Sequence, residues 1–394
     1  MEVISIISFS KLLLGKAHFG DRLRYSKEAQ NSSQGATNSM GPVVVWNCTK
    51  TCNLKCQHCY AGAILTETPE EMSTLTAKRM FDSLVDYKVP ALLISGGEPL
   101  MRKDIWELLA YAKKIGLRTV ISTNGTLIDS VAAEKIKSLS VSYVGISLDG
   151  LETINDEFRG VDGAFRRTMQ GIKNCQRVGQ KTGLRLSLSK NTIKDLPAIF
   201  DLIESERISR VCFYHLVYSG RGEQLVTADL NFEEKRRTLD YIIEKTFEFE
   251  KKGLDTEILT VDNHCDGIYL YQYMKNKDIN KAKEILRLLS VNGGNRSGSA
   301  IGAIDWQGNV YIDQFTRNRV LGNTQLSRFS SIWQGENNEF LEKLRNRKEY
   351  LGGRCKFCKW LEQCNGNFRA RALSTGDFWA ADPACYFTDK EITE

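Results

Sequence analysis

The sequence predicts an α/β fold: an open, parallel, partial barrel of six β-then-α units, with a cysteine-rich C-terminal domain after it. Three observations lead there. Between residues 43 and 217, short β-branched or apolar runs alternate with stretches of helical periodicity, the pattern of a parallel sheet flanked by helices. Six such steps are too few to close the eight-unit barrel. Seven of the eleven cysteines fall in two spaced clusters, one inside the first unit and one near the C-terminus.

The elements follow in order. Residues 1–41 read as an N-terminal extension that ends in the polar run Asn31 to Gly41. Val43 to Trp46 is the first strand and enters the cysteine loop. Ser73 or Thr74 caps a helix whose Ala77, Met80, Phe81, Leu84 and Val85 share one face. A strand ends at Ser95, a helix runs from Lys103 to Ile115, and Gly116 stops it. Strands at Arg118–Ser122, Ser142–Leu148, Leu184–Ser189 and Arg210–Val217 alternate with helices at Ser130–Ser138, Ala164–Val178 and Leu196–Ser205. This places the barrel at 42–225. Residues 226–300 read as a mostly helical connecting region, and 301–394 as the C-terminal domain. That domain opens on a hairpin, Ile301–Asp305 and Val310–Ile312, and continues through a short helix from Asn337 to Arg345.

At 394 residues, with 42% hydrophobic and 26% charged residues, the chain is long enough and ordinary enough to bury a core. The net charge of +6 is diffuse and no basic stripe carries interleaved aromatics, which argues against a nucleic-acid partner. Met1 to Leu14 is apolar but broken by Lys11, too short to span a bilayer and without a basic n-region. No membrane span is expected, and the chain reads as cytoplasmic. Clustered cysteines in such a chain bind metal or do redox work. Cys48, Cys175, Cys212 and Cys265 are scattered and read as buried small hydrophobes.

Cys52, Cys56 and Cys59 form a C-x3-C-x2-C loop. Three thiolates in eight residues can hold three irons of a [4Fe-4S] cubane and leave the fourth open to a small molecule, whereas an electron-transfer cluster takes four. By spacing alone the loop also suits half of a zinc site. Gly96-Gly97-Glu98-Pro99 closes the next strand, where missing Cβ atoms allow close backbone approach and Glu98 offers a carboxylate to a cationic amine. Alone, this is an ordinary βα turn. Cys355, Cys358, Cys364 and Cys385 supply four thiolates, suited either to a closed [4Fe-4S] cluster or to structural zinc. The barrel geometry gathers the strand ends on one face, so Asn124, Ser147, Asp149, His215 and Tyr218 converge there with the cysteine loop. Each also has a plain reading as a turn, cap or satisfied polar neighbour. Arg159, Arg221, Arg296, Arg317 and Arg319 are candidates to clamp carboxylates.

The cysteine loop together with the glycine turn resembles the radical S-adenosylmethionine (SAM) enzymes. Longer strings narrow the likeness: Gly41 to Cys48, His215 to Gly222, Asp305 to Val310 with Asp313 to Phe315, and Asp382 to Tyr386. They are similar to the tetrapyrrole-modifying members of the alternative haem b and haem d1 pathways, more so the haem b branch, from Phe19-Gly20-Asp21 to the tail. The resemblance implies a (β/α)6 radical SAM barrel with a SPASM/Twitch-like auxiliary domain and two [4Fe-4S] clusters. The first sits on Cys52, Cys56 and Cys59 and binds SAM. Gly96, Gly97, Glu98 and Pro99, the backbone of His58, and Asn124, Ser147 and Asp149 would contact SAM. The second cluster sits on Cys355, Cys358, Cys364 and Cys385. Phe368 stands where the larger seven-cysteine pattern has another cysteine, so one auxiliary cluster is expected.

The implied partners are a one-electron donor such as ferredoxin or flavodoxin and an iron tetrapyrrole substrate, with His215, Tyr218, Arg221 and Arg296 as substrate contacts. The implied reaction starts from reductive cleavage of SAM and removes two acetate side chains from 12,18-didecarboxysiroheme. The haem d1 branch, which modifies propionates of the same precursor, is the alternative. A peptide-modifying maturase and a non-catalytic iron-sulfur or zinc scaffold fit less of the pattern.

Overall fold

The computed structural model describes residues 6–27, 32–67, 70–335 and 338–394. Its centre is one mixed sheet of eleven strands: β1 (Ile6–Ser8), β2 (Val43–Asn47), β3 (Leu92–Ser95), β4 (Thr119–Thr123), β5 (Val144–Ser147), β6 (Thr182–Leu188), β7 (Arg210–His215), β8 (Glu257–Val261), β9 (Ile301–Ile304), β10 (Asn309–Tyr311) and β11 (Gly322–Asn323). The order is β1-β8-β7-β6-β5-β4-β3-β2-β9-β10-β11. From β2 to β8 every neighbouring pair is parallel. The six expected strands are β2 to β7, each crossing back through a helix as the βαβ rule requires.

Burial explains the composition of these strands. All five residues of β2 and all four of β3 are buried, because helices cover one face and the barrel interior the other. The helix Thr74–Asp86 takes its cap from Ser73 and buries Ala77, Met80, Phe81 and Leu84 against the sheet, with Phe81 meeting Trp46 edge-on at 5.4 Å. Each such large apolar side chain contributes about 1.5–3 kcal/mol.

Three strands of the sheet, β1, β8 and β11, lie where the sequence reading had none. The region 226–300 is helical at Phe232–Lys251, Cys265–Lys275 and Ile279–Asn292, but between the first two runs β8, parallel to β7. The expected hairpin is present as β9 and β10, yet β9 pairs parallel with β2, so the sheet runs unbroken past residue 300. In the N-terminal segment, β1 pairs antiparallel with β8. The Arg24 guanidinium reaches Glu257 at 2.8 Å, and Glu257 also pairs with Arg210 at the start of β7. The N-terminal segment is therefore tied to the sheet at both its backbone and its charges. The helix read from Asn337 is described over Glu339–Arg345; position 337, like residues 1–5 and Asn31, lies outside the described residues. No helix among the described residues is long and apolar enough to cross a membrane.

Candidate active site

The carboxyl ends of β2 to β8 surround a cavity of about 1240 Å³ of empty space, counting the part open to solvent. Cys52, Cys56 and Cys59 line it, along with His58, Gly96, Gly97, Asn124, Ser147, His215 and Arg221. The three sulfurs have donors aimed at them. Cys52 Sγ lies 3.4 Å from the Leu54 N–H and 3.9 Å from Asn124 Nδ2; Cys56 Sγ lies 3.6 Å from Arg159 Nη1; Cys59 Sγ lies 3.4 Å from the Ala63 N–H. Burial pushes the free Cys52 thiol up to about 12, with Glu98 adding, and pushes Cys56 up against the pull of Arg159. Donors at each sulfur suit thiolates whose protons have been replaced by metal. The residues present fit an iron-sulfur group.

The glycine turn also has a structural job. Gly96 is at φ +140°, and its backbone packs directly on the entry to the cysteine loop: Cys48 N–H donates to Ser95 O at 2.8 Å, Gly97 N–H to Thr49 O at 2.7 Å, Glu98 N–H to Thr51 O at 2.8 Å. A Cβ at Gly96 would stand 2.5 Å from Thr49 O, and one at Gly97 would overlap Thr51 O. The missing Cβ atoms let two protein backbones meet, with the outer edge of both glycines left to line the cavity. Glu98 is fully buried and off the cavity wall. Its carboxylate accepts from Thr123 Oγ1 (2.8 Å), Asn124 N–H (2.8 Å) and Leu100 N–H (3.1 Å), so it stabilises the strand ends and is not free for an amine. Burial still pushes this carboxyl upward, against those three bonds. Pro99 is buried at the start of a short 3-10 turn, also away from the wall.

Asn124 and Ser147 are at the wall; Asp149 is behind it. Asp149 is fully buried, accepts from Ser187 N–H at 2.6 Å and pairs with Arg159, the guanidinium that reaches Cys56. It acts on the cysteine loop through that arginine. His58 stacks on Phe158 at 4.5 Å, and burial holds its ring down to about 4, with Arg159 and Arg221 adding and Asp149 opposing. Arg221 lines the cavity but braces the loop, donating to Cys56 O at 2.9 Å and Ala63 O at 2.8 Å.

Two of the expected substrate contacts are elsewhere. Tyr218 is buried off the wall and donates to Asp229 at 2.6 Å. Arg296 spends its guanidinium on the carbonyls of Ser32, Gly35 and Ala36 at 3.1, 2.9 and 3.3 Å, pinning the N-terminal segment. Both residues satisfy protein groups first, which sequence position alone does not disclose.

The C-terminal cysteines converge as well. Cys355, Cys358, Cys364 and Cys385 lie close enough to influence one another electrostatically. A fifth thiol joins them: Cys265, at the start of its helix, faces both Cys364 and Cys385. Its Sγ accepts from Asn367 Nδ2 at 3.6 Å, and its nearness draws the Cys385 thiol downward. Cys265 is thus no mere packing residue. Its isolation in sequence, 90 positions before Cys355, hides this.

The wall also holds residues the sequence reading did not single out: Arg185, Tyr60, Tyr214, Asp262 and Gln314. Asp262 sits just beyond β8 at φ +67°, with Oδ2 buried and unbonded. Burial pushes its carboxyl up to about 7; Asp313 adds to this, and Arg371 and Arg185 oppose it. A carboxyl raised on folding makes the fold progressively less stable as pH climbs from about 4 to 7. Asp262→Asn, whose side chain tolerates this backbone, is expected to raise Tm at pH 8 and leave it nearly unchanged at pH 4. Equal Tm shifts at both values would contradict the assignment.

The Radical SAM superfamily profile matches residues 46–203. The chain is similar over nearly its full length to Fe-coproporphyrin III synthase of Methanosarcina barkeri, 48% identical over 98% of this chain and 99% of that one. It is 38% identical to pre-heme d1 synthase of Dinoroseobacter shibae, over 89% of this chain and 87% of the relative. Among solved structures, Streptococcus suis SuiB bound to S-adenosylmethionine superposes with a TM-score of 0.70 at 18% identity, covering 89% of this chain and 78% of that one. That last likeness speaks to the fold alone.

Proposed function

We infer, from the premise that this chain belongs to the radical SAM superfamily and to the group within it that includes Fe-coproporphyrin III synthase, that it makes Fe-coproporphyrin III by removing two acetate side chains from 12,18-didecarboxysiroheme. The observation that carries this reading is the 48% identity spread over both chains end to end, against 38% for the haem d1 relative. A [4Fe-4S] cluster on Cys52, Cys56 and Cys59 supplies, when bound, the reductive cleavage of SAM that starts the reaction. Gly96, Gly97, Asn124, Ser147 and His58 hold SAM beside it, a reading supported by their lining the same cavity as the three cysteines, and Arg159 balances charge at Cys56. Arg185, Arg159 and Arg221 give the wall a cationic character suited to a substrate rich in carboxylates. The apolar stretch Val45, Leu93, Val217, Val261 and Phe315 offers the macrocycle a dry surface and excludes water that would quench radicals.

The four C-terminal thiols take a second [4Fe-4S] cluster, which exchanges an electron with the substrate. Electrons reach the enzyme from a carrier such as ferredoxin or flavodoxin, and the reaction takes place in the cytoplasm. The test is mass spectrometry of the tetrapyrrole after anaerobic turnover of the reconstituted protein with SAM and reductant. Loss of two acetates is expected; retained acetates with altered propionates would instead place the chain on the haem d1 branch. Cys358→Ser should leave SAM cleavage measurable while product falls, and an unchanged product yield would discard the role of the second cluster.

A further inference from the structure

We propose that His215 is the protein ligand to the iron of the tetrapyrrole, through Nδ1, with Asp266 and Tyr386 holding its ring for that task. The proposal rests on the iron-tetrapyrrole reading above. His215 is the last residue of β7 and stands in the cavity wall, only 3% exposed. Its Nε2 lies 2.8 Å from Asp266 Oδ2, and the other oxygen of that carboxylate accepts the Tyr386 hydroxyl at 2.9 Å. Asp266 is wholly buried. A buried carboxylate that already receives one O–H takes the second hydrogen from Nε2, which leaves Nδ1 as the bare lone pair. That Nδ1 is buried and meets no protein partner.

Metal-ligating histidines are held in this way, with the second nitrogen donating to a carboxylate that is itself anchored. The other histidines lack the combination. His58 shares the wall, but its Nε2 is 3.8 Å from Asp149, whose carboxylate is taken by Arg159. His264 has neither nitrogen partnered and is off the wall, and His18 lies on the N-terminal segment. Ligation needs no redox partner: the Nδ1 lone pair fills an axial position on the iron, water leaves, and no electron or proton is exchanged. It would anchor the macrocycle at a fixed height over the cysteine loop while its side chains meet the arginines.

The test uses the full chain, purified anaerobically, titrated with ferric Fe-coproporphyrin III and separately with metal-free coproporphyrin III, followed by absorbance and EPR. The parent is expected to bind the iron form more tightly and to shift its Soret band. His215→Ala should lose at least the roughly 10- to 100-fold in affinity for the iron form that removing even an outer-shell partner costs, keep its affinity for the metal-free form, and recover the parent spectrum on adding imidazole. Asp266→Asn should retain binding but change the EPR g-values. An equal loss for both porphyrins, or an unchanged spectrum, would overturn ligation and leave the substrate class standing. Failure of the parent to bind either porphyrin would overturn the substrate class itself. Should the alanine variant not fold, pulsed EPR on parent protein carrying 15N-histidine decides: a strongly coupled histidine nitrogen is expected, and its absence overturns the proposal.

Discussion

Gly97→Ala is expected to remove the first iron-sulfur group from an otherwise folded protein. The added methyl would overlap the carbonyl of Thr51, a backbone atom that no side-chain rotation can clear. Two interstrand bonds, from Gly97 to Thr49 and from Glu98 to Thr51, depend on that approach. The chain at 49–51 must retreat, and Cys52 follows it directly, so the three sulfurs lose their common geometry. The sheet itself is indifferent, because β2 and β3 are already paired four residues deep before the turn. Anaerobic reconstitution should give about four irons per chain fewer than the parent, with SAM cleavage abolished and the far-UV circular dichroism spectrum retained. Full iron content and parent activity in the variant would show that the close approach is dispensable.

The second large effect is on stability. Glu257 lies between Arg24 and Arg210, all three nearly without solvent, with Asp21 3.0 Å from Arg24 on the far side. Burial works against ionisation of Glu257, but the two arginines outweigh it and hold the carboxyl down to about 2. Glu257→Gln keeps the shape and removes the charge, stranding Arg210 in the interior. Breaking a buried pair in this way costs about 3–5 kcal/mol, and here it also loosens β1 and the N-terminal segment from β8. The sign with pH is fixed by the depressed carboxyl: its stabilisation is complete above its ordinary value of 4.5 and disappears as pH falls through about 2. Denaturant unfolding should therefore show a gap between parent and variant that is constant near neutrality and narrows in acid. A gap that widened in acid would refute the account.

Much of this was legible in the residues. The alternation that announces β2 to β7 is strong because parallel strands are buried on both faces and their helices keep one apolar stripe. The cysteine loop and the glycine turn named the chemistry only together, through the family they resemble; the spacing alone also suited half of a zinc site. What stayed hidden was direction and distance. Nothing local says that Glu98 faces inward to Thr123 and Asn124, or that Asp149 works through Arg159. The helix Glu152–Arg159 that carries this arginine is only eight residues long, with Ile154 and Phe158 as its only large apolar residues, so its period rests on a single pair. β8 opens on Glu257 and has Thr260 inside its five residues, which interrupts the apolar run that marks a buried strand. Cys265 had no neighbour in sequence to mark it, and Arg296 and Tyr218 offered functional groups that the fold had already claimed.

Asp266 follows Cys265 in the chain, and Tyr386 follows Cys385. The two groups that steady His215 therefore share their main chain with two of the sulfurs in the C-terminal constellation. Whatever seats or frees those sulfurs shifts the imidazole by leverage, whether or not any electron passes. If the proposed cluster and iron ligand hold, a cysteine-by-cysteine scan splits in two: Cys355 and Cys358, mounted on a separate turn, report on the cluster alone, whereas Cys385 also registers as a change in how the macrocycle is gripped.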